Sequence, residues 1–138
     1  MNVKHLDHLN LTVSNLDRTI SWYQNLFGFE VKESGVYDGI PWAIIQSGDA
    51  LLCLYERPTF ELKSNDQRRK NEQLGINHFS FRITNEKNWL DKVDKHKPKM
   101  YYGGSAVEYP HSRSWYVKDP DSYEIEVVLW QNDEVKFS

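Results

Sequence analysis

Three side chains in this sequence have the type and spacing of a reactive site. His8 sits in Leu6-Asp7-His8-Leu9-Asn10-Leu11-Thr12-Val13-Ser14-Asn15. That segment aligns without a gap, at an offset of 70, with Ile76-Asn77-His78-Phe79-Ser80-Phe81-Arg82-Ile83-Thr84-Asn85. Two imidazoles at repeat-equivalent positions can be gathered by paired strands, which is what a site built on neutral, convergent histidines needs. The third side chain is Glu126, in Asp119-Pro120-Asp121-Ser122-Tyr123-Glu124-Ile125-Glu126-Val127-Val128. A carboxylate between apolar neighbours in mid-strand is costly unless it is paired or bound to a metal. The plainer alternatives are exposed sheet faces carrying incidental histidines, and an edge strand whose glutamate points at water.

The elements that must position these groups follow from periodicity. Both His segments alternate apolar and polar residues, the strand pattern. His8, Asn10 and Thr12 share one face of the first; His78, Ser80 and Arg82 share one face of the second. Each ends in a helix-capping pair, Ser14-Asn15 and Thr84-Asn85. Leu16, Ile20, Tyr23, Leu26 and Phe27 then recur at helical spacing, and Gly28 closes that helix. Trp89, Leu90 and Val93 form a shorter stripe that Pro98 must end. Strand-like runs follow at 29–33, 42–46 and 50–55, and again at 100–102, 114–118 and 123–130. Each half therefore reads strand, helix, three strands. Modules 1–62 and 74–138 are joined by the polar stretch 63–73, and the whole of 1–138 is expected to be a single domain. The fold class is α+β: two βαβββ modules forming an open, cupped mixed sheet around a shared cavity.

Bulk properties narrow the function. The 138 residues are 39% hydrophobic, 27% charged and 14% aromatic, with a net charge of −3. That balance offers nothing to nucleic acid or an anionic membrane. No apolar run approaches the roughly 20 residues that span a bilayer. The lone Cys53 excludes an intramolecular disulfide and fits a reducing cytoplasm. The expectation is a soluble cytoplasmic protein. Its many aromatics fill the core, and several are candidates to line a pocket.

His8, its repeat His78, and Asp119-Pro120-Asp121 leading into Ile125-Glu126-Val127 resemble the vicinal oxygen chelate superfamily. That group includes glyoxalase I, extradiol dioxygenases, fosfomycin-resistance thiol transferases and bleomycin-resistance proteins. Ser21-Trp22-Tyr23 with Leu26-Phe27-Gly28-Phe29 is similar to its first helix and the following turn, and Ser122 stands where glycine is usual. The resemblance spans Leu6 to Trp130. It implies a homodimer and one divalent cation (Fe, Mn, Ni, Zn or Co) held by His8, His78 and Glu126. Positions left open on that ion would take water and a small substrate with vicinal oxygens.

Departures from the subfamilies shape the expected chemistry. Glyoxalase I has a fourth ligand, a glutamate, where Cys53 aligns here; Glu56 lies three residues on, and strand parity puts it on the opposite face unless a bulge intervenes. Tyr116 stands ten residues before Glu126, as a tyrosine does in extradiol dioxygenases. The second-sphere histidine of those enzymes is missing between His8 and His78, and His111 is the candidate replacement. Fosfomycin-resistance enzymes share the Leu52-Cys53-Leu54 stretch, but Asn10 replaces their hydroxyl residue and Pro110-His111-Ser112-Arg113 replaces a potassium-binding loop. Tyr116 is the candidate catalytic group, exchanging a proton with a metal-bound oxygen. Asn10, Trp42, His111, Arg113 and Ser114 are the candidate substrate contacts, Arg113 as a clamp on an anionic group. The favoured function is metal-dependent lyase or dioxygenase-like chemistry. The alternatives are a fosfomycin-type thiol transferase and a metal-free protein that sequesters an aromatic antibiotic.

Overall fold

The computed structural model describes residues 1–138 and divides into two compact units, Met1–Glu61 and Leu62–Ser138. The class is α+β, with an open mixed sheet in each unit.

The first unit contains β1 (Leu9–Val13), α1 (Leu16–Phe27), β2 (Glu30–Tyr37), β3 (Ile40–Ser47) and β4 (Ala50–Glu56). Its strand order is β1-β4-β3-β2, with β1 parallel to β4 and the other pairs antiparallel. Alternation decides which face is covered. Leu11, Val13, Ala43, Ile45, Leu52 and Leu54 are buried on one side, where Leu16, Thr19, Tyr23 and Leu26 of α1 are buried as well. Each large aliphatic chain so buried contributes about 1.5–3 kcal/mol. The Asn15 side chain caps α1 by accepting from the Arg18 amide at 2.9 Å. Gly28 ends the helix at φ 69, a left-handed turn that side chains resist.

The second unit contains α2 (Asn65–Lys70), β5 (Phe79–Arg82), α3 (Glu86–His96), β6 (Lys99–Met100), β7 (Val107–Tyr109), β8 (Ser112–Lys118) and β9 (Glu124–Trp130). Its order is β5-β9-β8-β6, and β7 also pairs with β8. β5 runs parallel to β9, repeating the β1/β4 arrangement. Trp89 of α3 packs edge-on against Trp115 of β8, their ring centres 6.5 Å apart, above buried Val117, Ile125 and Val127.

Several boundaries differ from the sequence expectation. The stretch expected as a linker carries α2, fixed by a reciprocal cap between Ser64 and Gln67. α3 ends at His96 with Lys97 as its cap in the left-handed conformation at φ 47, and Pro98, which disfavours the right-handed helical conformation at the residue before it, closes the helix as expected. Of the strand expected at 100–102 only Met100 is realised, as the end of β6, and the chain then enters a 3-10 turn at Tyr102–Gly104. Both histidines lie one residue ahead of their strands, which begin at Leu9 and Phe79. The Asp-Pro-Asp-Ser turn is held by buried Asp119, whose Oδ1 accepts from the amides of Asp121 and Tyr123, both at 2.9 Å. Ser122 there has φ 74, which explains why glycine is the usual occupant.

Candidate active site in the second unit

β5, β9 and β8 lie side by side, and their alternating residues separate two faces. Phe79, Trp115, Val117, Ile125 and Val127 go to the helix side. His78, Ser80, Tyr116, Ser114, Glu124 and Glu126 go to the other, through the register pairs Ser80↔Glu126 and Tyr116↔Glu126.

Glu126 is the centre of that face. Its Oε1 accepts from Ser114 Oγ at 2.7 Å and from Tyr116 Oη at 3.3 Å. Its Oε2 accepts from Ser80 Oγ at 2.8 Å and stands 3.1 Å from His78 Nε2. A carboxylate offers about four acceptor directions; Ser80, Ser114 and Tyr116 use three, and the remaining one is on the side of His78. Burial alone would raise its carboxyl pKa. The Ser114 and Ser80 hydroxyls, then the His78 charge and the Tyr116 hydroxyl, outweigh that and hold it below the ordinary value. Glu126 is thus a half-buried carboxylate kept ionised by its neighbours.

Tyr116 is buried, and its hydroxyl also lies 2.7 Å from Tyr109 Oη. With Tyr116 donating to Glu126, the Tyr109 hydroxyl becomes the donor to Tyr116, and the two form a short chain. Burial first, then the Tyr109 hydrogen bond and the Glu126 charge, push the Tyr116 phenol well above its usual range. It keeps its proton and offers it as a hydrogen bond to Glu126. The His78 ring meets Tyr116 edge-on at 5.8 Å.

These groups open onto a cavity of about 510 Å³, a size that accepts a small organic molecule. One end carries His78, Ser80, Tyr109, Tyr116 and Glu126; the other carries Arg82, Val128, Trp130 and Phe137. Phe137 packs edge-on against Trp130 at 5.5 Å, and the Arg82 guanidinium lies 5.8 Å from the Trp130 ring while pairing with Asp133 at 2.7 Å.

Of the residues singled out in the sequence, the second unit therefore brings together His78, Glu126, Tyr116 and Ser114. Ser114 is fully buried and serves the carboxylate rather than lining the cavity. Arg113 has the parity of Trp115 and points to the helix side, where Glu108 at 2.6 Å and Glu86 at 2.7 Å occupy its guanidinium. The cation that does reach the cavity is Arg82, whose shared parity with His78 and Ser80 was the available signal. His111 donates from Nε2 to the Ser138 backbone oxygen at 2.8 Å and is absent from the cavity wall.

In the first unit His8 precedes β1, and its Nδ1 lies 2.7 Å from Asp7 Oδ2. Asn10 pairs in register with Cys53 and is exposed. Trp42, on β3, lies over Gly35, where an added Cβ would come within 3.0 Å of its ring. The β3/β4 register runs without a bulge, so Glu56 stays on the helix side and accepts from the Leu16 amide at 2.8 Å, at the start of α1. The position aligned with the fourth ligand of glyoxalase I is left to Cys53, whose thiol burial and the charge of Asp7 push up.

The donor set fits a divalent cation in part. His78 Nε2 and Glu126 Oε2 form an adjacent nitrogen–oxygen pair with the carboxylate already ionised, but no three His, Cys, Asp or Glu side chains are gathered so that they could hold a metal ion.

The chain belongs to the Glyoxalase/Bleomycin resistance protein/Dioxygenase superfamily, whose family model matches residues 5–127. Solved structures with this fold include a glyoxylase/bleomycin resistance protein/dioxygenase domain from Frankia sp. EAN1pec, 19% identical, with a TM-score of 0.77 and 96% of each chain covered. A mutant of the fosfomycin resistance protein FosX from Listeria monocytogenes, complexed with Mn(II) and 1S,2S-dihydroxypropylphosphonic acid, is 18% identical, with a TM-score of 0.73 and 94% of each chain covered. Lactoylglutathione lyase from Agrobacterium tumefaciens is 18% identical, with a TM-score of 0.68, covering 98% of this chain and 100% of that one. No curated protein sequence matches the chain. No helix is long and apolar enough to cross a membrane.

Proposed function

We propose that this chain is a divalent-metal-dependent enzyme of the glyoxalase and dioxygenase type, acting on a small molecule with vicinal oxygens. His78 and Glu126 would hold the cation, with His8 as the third ligand. The observation that carries the reading is Glu126: an ionised carboxylate beside an imidazole, with both oxygens positioned by hydroxyls, at the wall of a cavity. A bound cation of this kind supplies Lewis-acid activation of substrate oxygens. The chain's own residues do the rest. Ser80 and Ser114 orient Glu126, and Tyr116, hydrogen-bonded to Glu126 and Tyr109 at the cavity wall, would be the catalytic group, turning its hydroxyl from the carboxylate to a substrate oxygen.

Lyase or dioxygenase-like chemistry is favoured, in a cytoplasmic homodimer. Mn(II) in the complex of the fosfomycin-resistance relative is consistent with a divalent ion here. A fosfomycin-type addition is the second reading, favoured by the Arg82 guanidinium in the cavity, which suits an anionic group. The aromatic end formed by Trp130 and Phe137 would suit sequestration of an aromatic antibiotic, but a sequestering protein has no use for an ionised Glu126 beside His78.

The test is metal content of untagged protein by mass spectrometry, before and after loading with Fe(II), Mn(II), Ni(II), Zn(II) or Co(II), beside His78→Ala and Glu126→Ala. Near-stoichiometric metal in the parent, lost in both variants, supports the reading. Catechols, hemithioacetals and epoxides, the last with and without a thiol, would then be screened with the preferred ion. No metal under any condition sinks it.

A further inference from the structure

We propose that Glu124 is a positioning residue for His78, taking its Nδ1 so that Nε2 faces the cation. The inference rests on the metal-site reading above and adds a residue to it. Parallel pairing of β5 with β9 sets Phe79 opposite Ile125 and Ser80 opposite Glu126, so the register places His78 beside Glu124 one step earlier. The imidazole ends up between two carboxylates. Its Nδ1 is 3.2 Å from Glu124 Oε2, and its Nε2 is 3.1 Å from Glu126 Oε2.

The two carboxylates are not equivalent. They meet opposite edges of the ring, so one ion cannot be shared by both together with the imidazole. Glu126 faces the cavity with Ser80 and Tyr116, whereas Glu124 is not among the cavity walls. Glu124 instead receives a hydrogen bond from the Tyr101 hydroxyl, and that phenol is pushed up to about 12 by burial and then by the Glu124 charge. Tyr101 is itself held by its amide on the Tyr116 carbonyl at 2.9 Å, and Lys118 lies 5.0 Å above its ring. A braced acceptor on Nδ1 fixes both the tautomer and the tilt of an imidazole, and raises its basicity toward a metal at Nε2. His8 has the same provision, since Asp7 Oδ2 lies 2.7 Å from its Nδ1. Both proposed histidine ligands thus have a carboxylate on the nitrogen a metal would leave unused.

The experiment uses untagged, full-length protein with ¹⁵N-labelled histidine. Zn(II) affinity is measured by competition with a chelator, and the His78 ring is followed by long-range proton–nitrogen spectra with and without Zn(II). In Zn-loaded parent protein a slowly exchanging Nδ1–H of His78 is expected. Glu124→Ala should abolish that resonance and weaken Zn(II) binding about 10–100-fold, the usual cost of losing such a partner. Glu124→Gln keeps a carbonyl acceptor, so it should restore the resonance and recover part of the affinity. Should Glu124→Ala fail to fold, Tyr101→Phe still decides, with a smaller loss in the same direction. The proposal is overturned if Glu124→Ala, or in its place Tyr101→Phe, binds Zn(II) as the parent does and keeps the Nδ1–H resonance. Absence of Zn(II) binding in the parent is a different failure. It removes the metal reading before position 124 is touched, and the proposal falls with it.

Discussion

The two units share one plan and put different chemistry on it. In each, a parallel strand pair joins the strand that follows the histidine to the last strand of the module, and an antiparallel neighbour flanks that last strand. The registers make the positions comparable. Asn10 faces Cys53 where Ser80 faces Glu126, and Ile44 faces Cys53 where Tyr116 faces Glu126. In the second unit both register partners of the central position are hydroxyl donors aimed at a carboxylate. In the first, the central position is a thiol with an isoleucine across from it. A sheet face does not make a site by its topology; it does so when the neighbours of one residue are all of the type that stabilises its charged form.

Glu126→Ala beside Cys53→Ala breaks or confirms that asymmetry with the largest expected effect. Removing the carboxylate should weaken metal binding beyond the roughly 100-fold expected of an outer-shell change. It also leaves the buried Ser114 hydroxyl and the Tyr116 hydroxyl without their acceptor, at about 1–3 kcal/mol of stability. Cys53→Ala should leave metal affinity unchanged. Calorimetric metal titration and denaturant unfolding read both quantities. Equal losses at the two positions would mean that the first unit contributes a ligand at Cys53, and the comparison would fail.

Much of this was legible before any coordinates. The gap-free repeat around His8 and His78 gave the module plan, because period-two alternation and an Asn cap are local features that tertiary packing left intact at Asn15 and Asn85. α2 was hidden by its polarity: it has no buried residue and is held by the Ser64–Gln67 cap, a four-residue signature easily read as linker. β7 is three residues long and exists through its pairing with β8. Arg113 and Arg82 were separable by parity alone, yet the ion pairs of Arg113 with Glu86 and Glu108 join residues far apart in pattern. The contact of Glu124 with His78 depends on the parallel register of β5 and β9, which no local sequence feature specifies.

Ser114→Ala sharpens the comparison from inside the donor shell. The Glu126 carboxyl lies below its ordinary value, so its contribution to stability is present above the unfolded value near pH 4.3 and is lost as pH falls through the folded one. Removing the Ser114 hydroxyl takes away a hydrogen bond to the ionised form and raises that folded value toward the ordinary one. The variant should lose about 1–2 kcal/mol at neutral pH. Its deficit against the parent should narrow as the medium is acidified below the unfolded value. Urea unfolding of metal-free protein from neutral to acidic pH measures this. A deficit that stays the same at every pH would show that Ser114 fills space there and does not hold the charge.

The smallest effect belongs to the position that mirrors Glu126. Burial, and then the charge of Asp7, push the Cys53 thiol above its ordinary value, the opposite of what its neighbours do to the carboxylate. The pH profile of Cys53 alkylation by iodoacetamide should therefore have its midpoint above that of a free thiol, near 8.5. Asp7→Asn should move it down without bringing it all the way back, because burial is the larger cause and remains. A midpoint below the free-thiol value would mean that the first unit concentrates positive potential on Cys53. That would make it a second reactive face, and the division of labour between the units would have to be abandoned.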